Sequence, residues 1–513
     1  MKKSLRLGTR RSLLAMAQSR YVAQKLEEVH RDIEVKLVGI ETMGDRLLDV
    51  SLQKVPGKDF FVSEIDKELL EKKIDLAVHS LKDLSLERPS ELVIAAVPPR
   101  QHQHDIVFFH IRVLEKLAKN KPIIIGSSSP RRKSLVLAFL RKSLPRLKDN
   151  VQIVFEDLRG NVNTRLGRLF ATPQSGRQLD AVVLALAGIN RLWQDPQSLK
   201  ELAFFFEKKD EILYQLLPLS EIPTAAAQGA LAVVCRKEDV ETVNLVKSIH
   251  DEASQKSAFL EREILAHYGG GCHENLGISC LYHPELGLLK IVRGLSQGQE
   301  FHSLKQENYP SLDRTKSYLV FNGMAYLQKQ DKKRIYRKLS ESDWQKLQKA
   351  KAIFVSHRHA VSDEILPILK NKKVYTAGTK TWFSLAQKGV WVHGSADSLG
   401  FTYLEQILQS SPLLQEEEIL IITHSGALSR KKTQAVATYE SEISPLPQII
   451  SQADILYWAS ASQFLANKDF IKKEAIHCCG CGETASVLRE NGIEPFVFYS
   501  EAIFNEWIGH AQR

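Results

Sequence analysis

The stretch Ile74-Asp75-Leu76-Ala77-Val78-His79-Ser80-Leu81-Lys82-Asp83 sets a cation beside a carboxylate just past an apolar run. Such a run suits a buried parallel strand, and open α/β sheets bind ligands at the carboxyl ends of their strands. There, partial burial can tune a carboxylate or an ammonium for proton transfer or charge stabilisation. A Lys-Asp pair after a strand is by itself more often a surface loop or a helix cap. Its company sharpens the reading. Gly126-Ser127-Ser128-Ser129-Pro130-Arg131-Arg132 follows the apolar Ile123–Ile125 and gathers backbone N–H groups, hydroxyls and two guanidinium forks, a set suited to carboxylate or phosphate capture. Leu158-Arg159-Gly160-Asn161-Val162-Asn163-Thr164-Arg165 and Arg191 follow further apolar runs, and Thr9-Arg10-Arg11-Ser12 follows the first. By the strand-end rule Arg10, Lys82, Arg131, Arg132, Arg159, Arg165 and Arg191 are expected to face one cleft. That implies a ligand with several carboxylates or phosphates, and leaves Asp83 a different task; the alternative is that each arginine serves its own loop. Farther on, Tyr268-Gly269-Gly270-Gly271-Cys272 sets a thiol behind three glycines, a backbone able to present sulfur into space rather than into a core.

The elements that must position these groups are legible as apolar runs. Strands are expected at Leu5–Gly8, Ile33–Ile40, Leu92–Val97, Ile123–Ile125, Val151–Phe155, Ala181–Ala187 and Leu231–Cys235, with helices after Ser12 and Pro130 and over Ala253–His267. Pro98-Pro99-Arg100 reads as a domain crossover. Lys54-Val55-Pro56-Gly57-Lys58-Asp59-Phe60-Phe61 reads as a basic loop with an aromatic end, of the kind that folds over ligands.

Composition bounds the function. The 513 residues carry 70 Lys and Arg against 60 Asp and Glu, a net +10 that favours anionic partners. The charge forms no basic tail and accompanies no zinc-finger or RNA-binding signature, which argues against nucleic acid. Six cysteines in such a chain make no disulfide scaffold and fit a reducing cytoplasm. Arg10-Arg11 has the look of a twin-arginine export signal, but the apolar stretch after it is too short for one, and no run reaches membrane-span length.

Taken together these residues resemble porphobilinogen deaminase, also called hydroxymethylbilane synthase. The resemblance runs through Thr9-Arg10-x-Ser12, Gly44-Asp45, Gly57-Lys58, Ala77-Val78-His79-Ser80-x-Lys82-Asp83, Ser128-Ser129-x-Arg131-Arg132, Leu158 to Arg165, Gln228-Gly229-Ala230 and Gly270-Gly271-Cys272, in uninterrupted order over residues 1 to 310. It implies a dipyrromethane cofactor held by Cys272 through a thioether, Asp83 as the catalytic carboxylate, and porphobilinogen as substrate. Arg10, Ser12, Lys82, Ser128, Ser129, Arg131, Arg132, Arg159, Arg165 and Arg191 would bind the acetates and propionates of the growing chain, with Lys54, Lys58 and Phe61 in a mobile loop over the site. It also implies two periplasmic-binding-protein-like α/β domains, 1–99 with 205–235 and 100–204, a small α+β cofactor domain over 236–312, and a cytoplasmic monomer. Thr224 to Ala227 and His273 to Leu276 depart from the family's pattern.

Residues 313–513 carry an internal repeat: Thr381, Leu385, Gly389-Val390 against Thr484, Leu488, Gly492-Ile493, a helix start, a helix face, a glycine cap and the next strand. Two copies predict a bilobal α/β module. This part resembles uroporphyrinogen-III synthase, which implies cyclisation of hydroxymethylbilane to uroporphyrinogen III, with Ser356, Thr381, Tyr439, Ser460 and Thr484 as cleft candidates. The family's opening strand has only Ser317 to Asn322 as a counterpart. Cys478-Cys479-Gly480-Cys481 lacks a second ligand pair at zinc spacing and reads as buried cysteines at a strand end, so no metal is expected; His424 reads as a loop residue. Two other readings stay open: a two-lobed binding protein for anionic solutes, and a deaminase with a non-catalytic C-terminal module.

Overall fold

The structure is a computed structural model that describes residues 3–42, 63–85, 88–147, 151–268, 275–296, 299–313, 315–328, 334–428, 434–441, 446 and 448–511. It is a mixed α/β protein with several sheets, and it divides into two compact units: Met1–Phe139 with Lys148–Cys280 and Ile291–Ser303, and Leu140–Leu147 with Leu281–Lys290 and Leu304–Arg513. No described helix is long and apolar enough to cross a membrane.

The first unit holds two five-stranded sheets. One is built from β1 (Lys3–Arg10), β2 (Ile33–Ile40), β3 (Leu76–Ser80), β4 (Leu92–Ala96) and β10 (Leu231–Arg236), in the order β2-β1-β3-β10-β4. The other is built from β5 (Asp105–His110), β6 (Ile123–Gly126), β7 (Ile153–Glu156), β8 (Ala181–Ala185) and β9 (Ile212–Leu216), in the order β7-β6-β8-β5-β9. The plan is the same in both: three parallel strands, then an antiparallel one, β10 in the first and β5 in the second. The β4 to β5 and β9 to β10 connections cross between the sheets. Residues 205–235, expected with the first domain, include β9 of the second sheet as well as β10 of the first. β9 pairs along its length with β5, from Ile106↔Leu216 to His110↔Ile212, so the return crossover begins only after Leu216.

Apolar faces explain the packing. Leu5, Leu7, Val22, Leu26, Leu76, Val78 and Val233 form one core of the first sheet, and the helix Leu13–Val29 contributes its buried stripe to it. The helix Glu252–His267 packs Ile264, Leu265 and Tyr268 against Leu276, Ile278, Val292 and Phe301. These last belong to a three-stranded sheet of β11 (Asn275–His283), β12 (Gly287–Ser296) and β13 (Gln299–Lys305).

The second unit holds two further sheets. A four-stranded parallel sheet contains β14 (Val320–Asn322), β21 (Ile455–Trp458), β22 (Ile476–Gly480) and β23 (Phe496–Phe498), so the segment from Ser317 to Asn322 does carry a strand. A six-stranded sheet contains β15 (Arg334–Tyr336), β16 (Ala352–Val355), β17 (Lys373–Thr376), β18 (Gly394–Ser395), β19 (Ile419–His424) and β20 (Ala435–Ser441). The repeat read from sequence has a structural counterpart. Helices Thr379–Gln387 and Glu483–Glu490 both end in a left-handed glycine, Gly389 at φ 80° and Gly492 at φ 77°. Both close with the same two bonds, Gly389 N to Ala386 O with Val390 N to Leu385 O, and Gly492 N to Arg489 O with Ile493 N to Leu488 O. This is the Schellman arrangement, and it explains why Leu, Gly and an apolar residue recur at that spacing.

Candidate active site

β3 ends at Ser80 and passes into a single 3-10 turn, Leu81–Asp83. Leu81 is buried and anchors the turn, Lys82 is half-buried, and Asp83 is exposed. Burial lowers the Lys82 pKa; Asp83 and Asp105 oppose the shift, while Arg132 and Arg131 reinforce it. The edges of the two five-stranded sheets therefore share one electrostatic neighbourhood, with Lys82 from one and the Arg131-Arg132 pair from the other.

Arg131 and Arg132 open the helix Pro130–Ser143, where Ser129 caps the turn by accepting from Arg132 N at 3.4 Å. Both guanidiniums are buried and converge on Asp105. Arg131 Nη2 donates to Oδ2 at 2.8 Å; Arg132 donates through Nη2 to Oδ1 at 2.7 Å and through Nε to Oδ2 at 3.2 Å. Gln228 Nε2 adds a bond to Oδ1 at 2.8 Å. The carboxyl of Asp105 is held below the ordinary range by the two arginines in spite of its burial. Ser128 works locally: its hydroxyl donates to Leu158 O at 2.9 Å and accepts from Leu158 N at 2.8 Å, tying the β6 end to the loop after β7.

That loop carries Arg159, which is exposed, and leads to Arg165, whose Nε donates to Gly160 O at 2.8 Å. Burial, then Arg132 and Arg159, bring the Arg165 pKa down to about 10. Arg132, Arg159 and Arg165 thus repel one another, a field that several carboxylates would relieve. Arg10 closes β1 half-buried, and Ser12 caps the helix Leu13–Val29, accepting from Ala15 N at 3.4 Å. Arg191 serves the fold instead. It is buried in the helix Leu186–Gln194 and donates to Gly229 O at 2.6 Å, bracing the return crossover. Lys54, Lys58, Phe61 and Cys272 lie outside the described residues.

Several site-building residues drew no role from motif or strand-end arguments, although Gln228 stands in the quoted Gln228-Gly229-Ala230 and Arg100 in the crossover. Asp105 and Gln228 stand at or just before the starts of β5 and β10, the antiparallel strands. Their beginnings lie where β8 and β3 end, as the pairs Asp105↔Ala185 and Leu231↔Ser80 record. Looking at strand starts in antiparallel positions would have found them. Arg100 and Glu261 form a buried two-pronged pair, Nη1 to Oε1 at 2.9 Å and Nη2 to Oε2 at 2.8 Å. Glu261 also accepts from Ala227 N at 2.6 Å and Cys280 N at 2.6 Å, so one carboxylate gathers both crossovers, a helix and β11. At the divergent Thr224, the backbone N–H donates to Ser279 Oγ at 3.0 Å and the carbonyl accepts from Ile278 N at 2.8 Å, tying this segment to β11.

Residues 5–244 match the family model described as "Porphobilinogen deaminase, dipyromethane cofactor binding domain". A porphobilinogen deaminase of Alkaliphilus metalliredigens is 35% identical over 301 residues, 58% of this chain and 81% of that protein. One from Listeria innocua is 38% identical over 274 residues, covering 53% of this chain and 79% of its own length, and one from Bacillus subtilis 35% over 274 residues, covering 53% and 77%. The chain belongs to the porphobilinogen deaminase family.

The domain of that family that binds dipyrromethane is therefore present, and its polyanionic pyrroles suit the cations carried at the ends of these strands. The family-model match ends at residue 244, and residues 313–513 carry their own candidates. Ser356 follows β16 and its hydroxyl donates to Ile422 O at 2.9 Å. Thr381 is buried on its helix, and Tyr439 is buried on β20 with its ring 6.0 Å from that of His424. Ser460 caps the helix Ala461–Leu465, accepting from Gln463 N at 3.2 Å, and Thr484 sits half-buried in the first turn of its own helix. Cys478 and Cys479 are buried on β22. Folding does bring a distant pair to Cys481, since its sulfur and ligand atoms of His283 and Glu285 lie within 4.8 Å of one another. His283 Nδ1 accepts from Glu285 N at 3.3 Å, Glu285 pairs with Arg489, and burial raises the Cys481 thiol.

Proposed function

We propose that this chain is a hydroxymethylbilane synthase, which condenses porphobilinogen units with release of ammonia on a dipyrromethane attached to Cys272. One observation carries the reading: an exposed carboxylate, Asp83, beside the half-buried Lys82, at a sheet edge electrostatically joined to Arg131, Arg132 and Asp105 of the second sheet. When bound, the dipyrromethane supplies the pyrrole to which units are added. Lys82, Arg132, Arg159, Arg165, Arg10 and the hydroxyls of Ser12 and Ser129 hold acetate and propionate groups, while Ser128, whose proton goes to Leu158 O, fixes the loop that carries Arg159. Loss of ammonia from porphobilinogen breaks the aminomethyl C–N bond and leaves a cationic azafulvene. Asp83 stabilises that charge and takes up protons beside it. Two sheets of one plan joined by paired crossovers support a two-domain, binding-protein-like layout, with 236–312 as the cofactor-carrying part. A cytoplasmic monomer taking no nucleic acid or membrane partner fits this chemistry, as does Lys54, Lys58 and Phe61 in a covering loop.

A plain anionic solute-binding protein would need neither Asp83 nor a thiol placed behind glycines. The deciding experiment is the intact mass of the full chain made in cells that synthesise porphobilinogen, beside Cys272→Ser. A two-pyrrole adduct that maps to Cys272 and vanishes in the variant supports the synthase; unmodified, folded wild-type chain overturns it.

For residues 313–513 the proposal is a uroporphyrinogen-III synthase module, supported by the two sheets and the duplicated Schellman-capped helices. Incubating the full chain with porphobilinogen and identifying the product isomer tests it. Type III macrocycle supports cyclisation by this chain; type I alone leaves a deaminase with a non-catalytic module.

A further inference from the structure

The turn that carries Lys82 and Asp83 has little stability of its own. It is a single 3-10 turn of 3 residues, closed by a long bond from Leu84 N to Leu81 O at 3.4 Å. A turn this short leaves Leu81 O with only that long bond and supplies no intrahelical partner to the carbonyls that follow it, Leu84 O and Ser85 O. One side chain supplies the partners. Arg262 donates through Nη1 to Leu81 O at 2.6 Å and Leu84 O at 2.7 Å, and through Nη2 to Ser85 O at 2.9 Å. A guanidinium is suited to this, because its planar fork bridges several acceptors in fixed geometry, where an ammonium is a point charge on a flexible stem.

Arg262 stands on the helix Glu252–His267, 181 residues along the chain from Leu81. Its neighbour Glu261 takes Arg100 and Ala227 N. Adjacent positions of one helix therefore hold the crossovers with one side chain and the Asp83 turn with the next. The same helix runs on to the segment that bears Cys272.

We propose that Arg262 is a positioning residue for Asp83: it registers the carboxylate-bearing turn to the helix leading to the primer-bearing cysteine. The inference rests on the deaminase reading above. It requires that losing the fork misplace Asp83 while leaving the anion-binding arginines where they are.

The test uses the full chain, as Arg262→Gln and Arg262→Lys, loaded in cells that make porphobilinogen and checked by intact mass. Loaded Arg262→Gln is expected to lose kcat by about 10²-fold, the scale of an ångström-sized misplacement, with KM within about threefold of wild type. Arg262→Lys should recover part of kcat, since an ammonium reaches some of the same carbonyls. Independently of activity, hydrogen exchange is compared between Cys272→Ser and Cys272→Ser/Arg262→Gln chains. Amides from Leu81 to Ser85 should exchange faster in the double variant, while those of β6 and β8 stay as in the parent. Loaded Arg262→Gln with kcat within about threefold of wild type overturns the proposal, as does unchanged or uniformly raised exchange; where Arg262→Gln does not load, exchange alone decides. A wild-type chain that neither loads nor turns over porphobilinogen defeats the deaminase reading instead, and the exchange result still reports whether Arg262 holds the turn.

Discussion

Arg132 grips Asp105 with two prongs, Nη2 to Oδ1 at 2.7 Å and Nε to Oδ2 at 3.2 Å, and neither side chain is exposed. Arg131 shares the same carboxylate. One negative charge is thus set between two buried positive ones, and both guanidiniums act electrostatically on Lys82. Asp105→Asn keeps the shape but removes the charge, leaving two buried guanidiniums uncompensated. The expected cost is about 3–5 kcal/mol, the range for breaking a buried pair by deleting one partner, read as a lowered urea midpoint.

Asp83 is the opposite case, exposed and bearing little of the fold. Asp83→Asn should change stability by less than about 0.5 kcal/mol while lowering kcat by about 10²- to 10⁴-fold. Denaturation midpoints and steady-state turnover of porphobilinogen, measured on one preparation, separate the two effects. Equal losses of stability and turnover would assign Asp83 a structural role.

The C-terminal helices make a paired prediction. Gly389 and Gly492 hold left-handed backbone, and an added Cβ at Gly492 meets nothing within 4 Å. Gly492→Ala therefore pays only in backbone conformation, about 1–2 kcal/mol. Gly389→Ala should cost a similar amount, because its nearest neighbour, Leu147 Cδ2 at 3.4 Å, is at ordinary contact distance. Similar shifts in the urea midpoint would support structural equivalence of the two repeats; a negligible effect at either glycine would contradict it.

Buried histidines give the chain an acid limit. Burial lowers His79, His104 and His393 from 6.5 to about 3, and His477 to about 4. His393 and His477 are moreover fixed as acceptors, from Val374 N at 3.1 Å and Trp458 Nε1 at 3.0 Å. Between these values and 6.5 the unfolded chain binds protons that the folded chain refuses. Stability is therefore complete above pH 6.5 and falls as pH drops towards 3 to 4. At pH 5 each of the three most strongly shifted histidines should cost about 2 kcal/mol. Urea midpoints at pH 7.5 and pH 5 measure the loss, and His393→Gln, whose amide oxygen can still accept from Val374, should flatten the slope. Equal midpoints at both pH values would refute the assignment.

Much of the fold was legible because its signals are local. The strand Ile33–Ile40 stands where its apolar run does, Pro130 opens its helix, and the spacing Thr-x3-Leu-x3-Gly-apolar encodes a cap whose bonds all fall within one turn. The sheet that β9 joins was not legible, because a short apolar strand carries no mark of it; only its pairing with β5 decides that.

The sequence by itself determined which groups are available: Asp83 beside Lys82 after a strand, arginines after other strands, and a cysteine behind glycines. These follow from residue type and short spacing, which hold before the chain has folded. Only the tertiary structure decided which charges neutralise one another. Asp105 and Gln228 reach the site edge because antiparallel strands begin where their parallel neighbours end. Glu261 and Arg262 act on crossovers and turn because one helix packs against both. Arg191 is spent on a carbonyl inside the fold. Charge pairing is set by distance in space, and 26 residues of chain between Asp105 and Arg131, or 181 between Leu81 and Arg262, carry no local signal of contact.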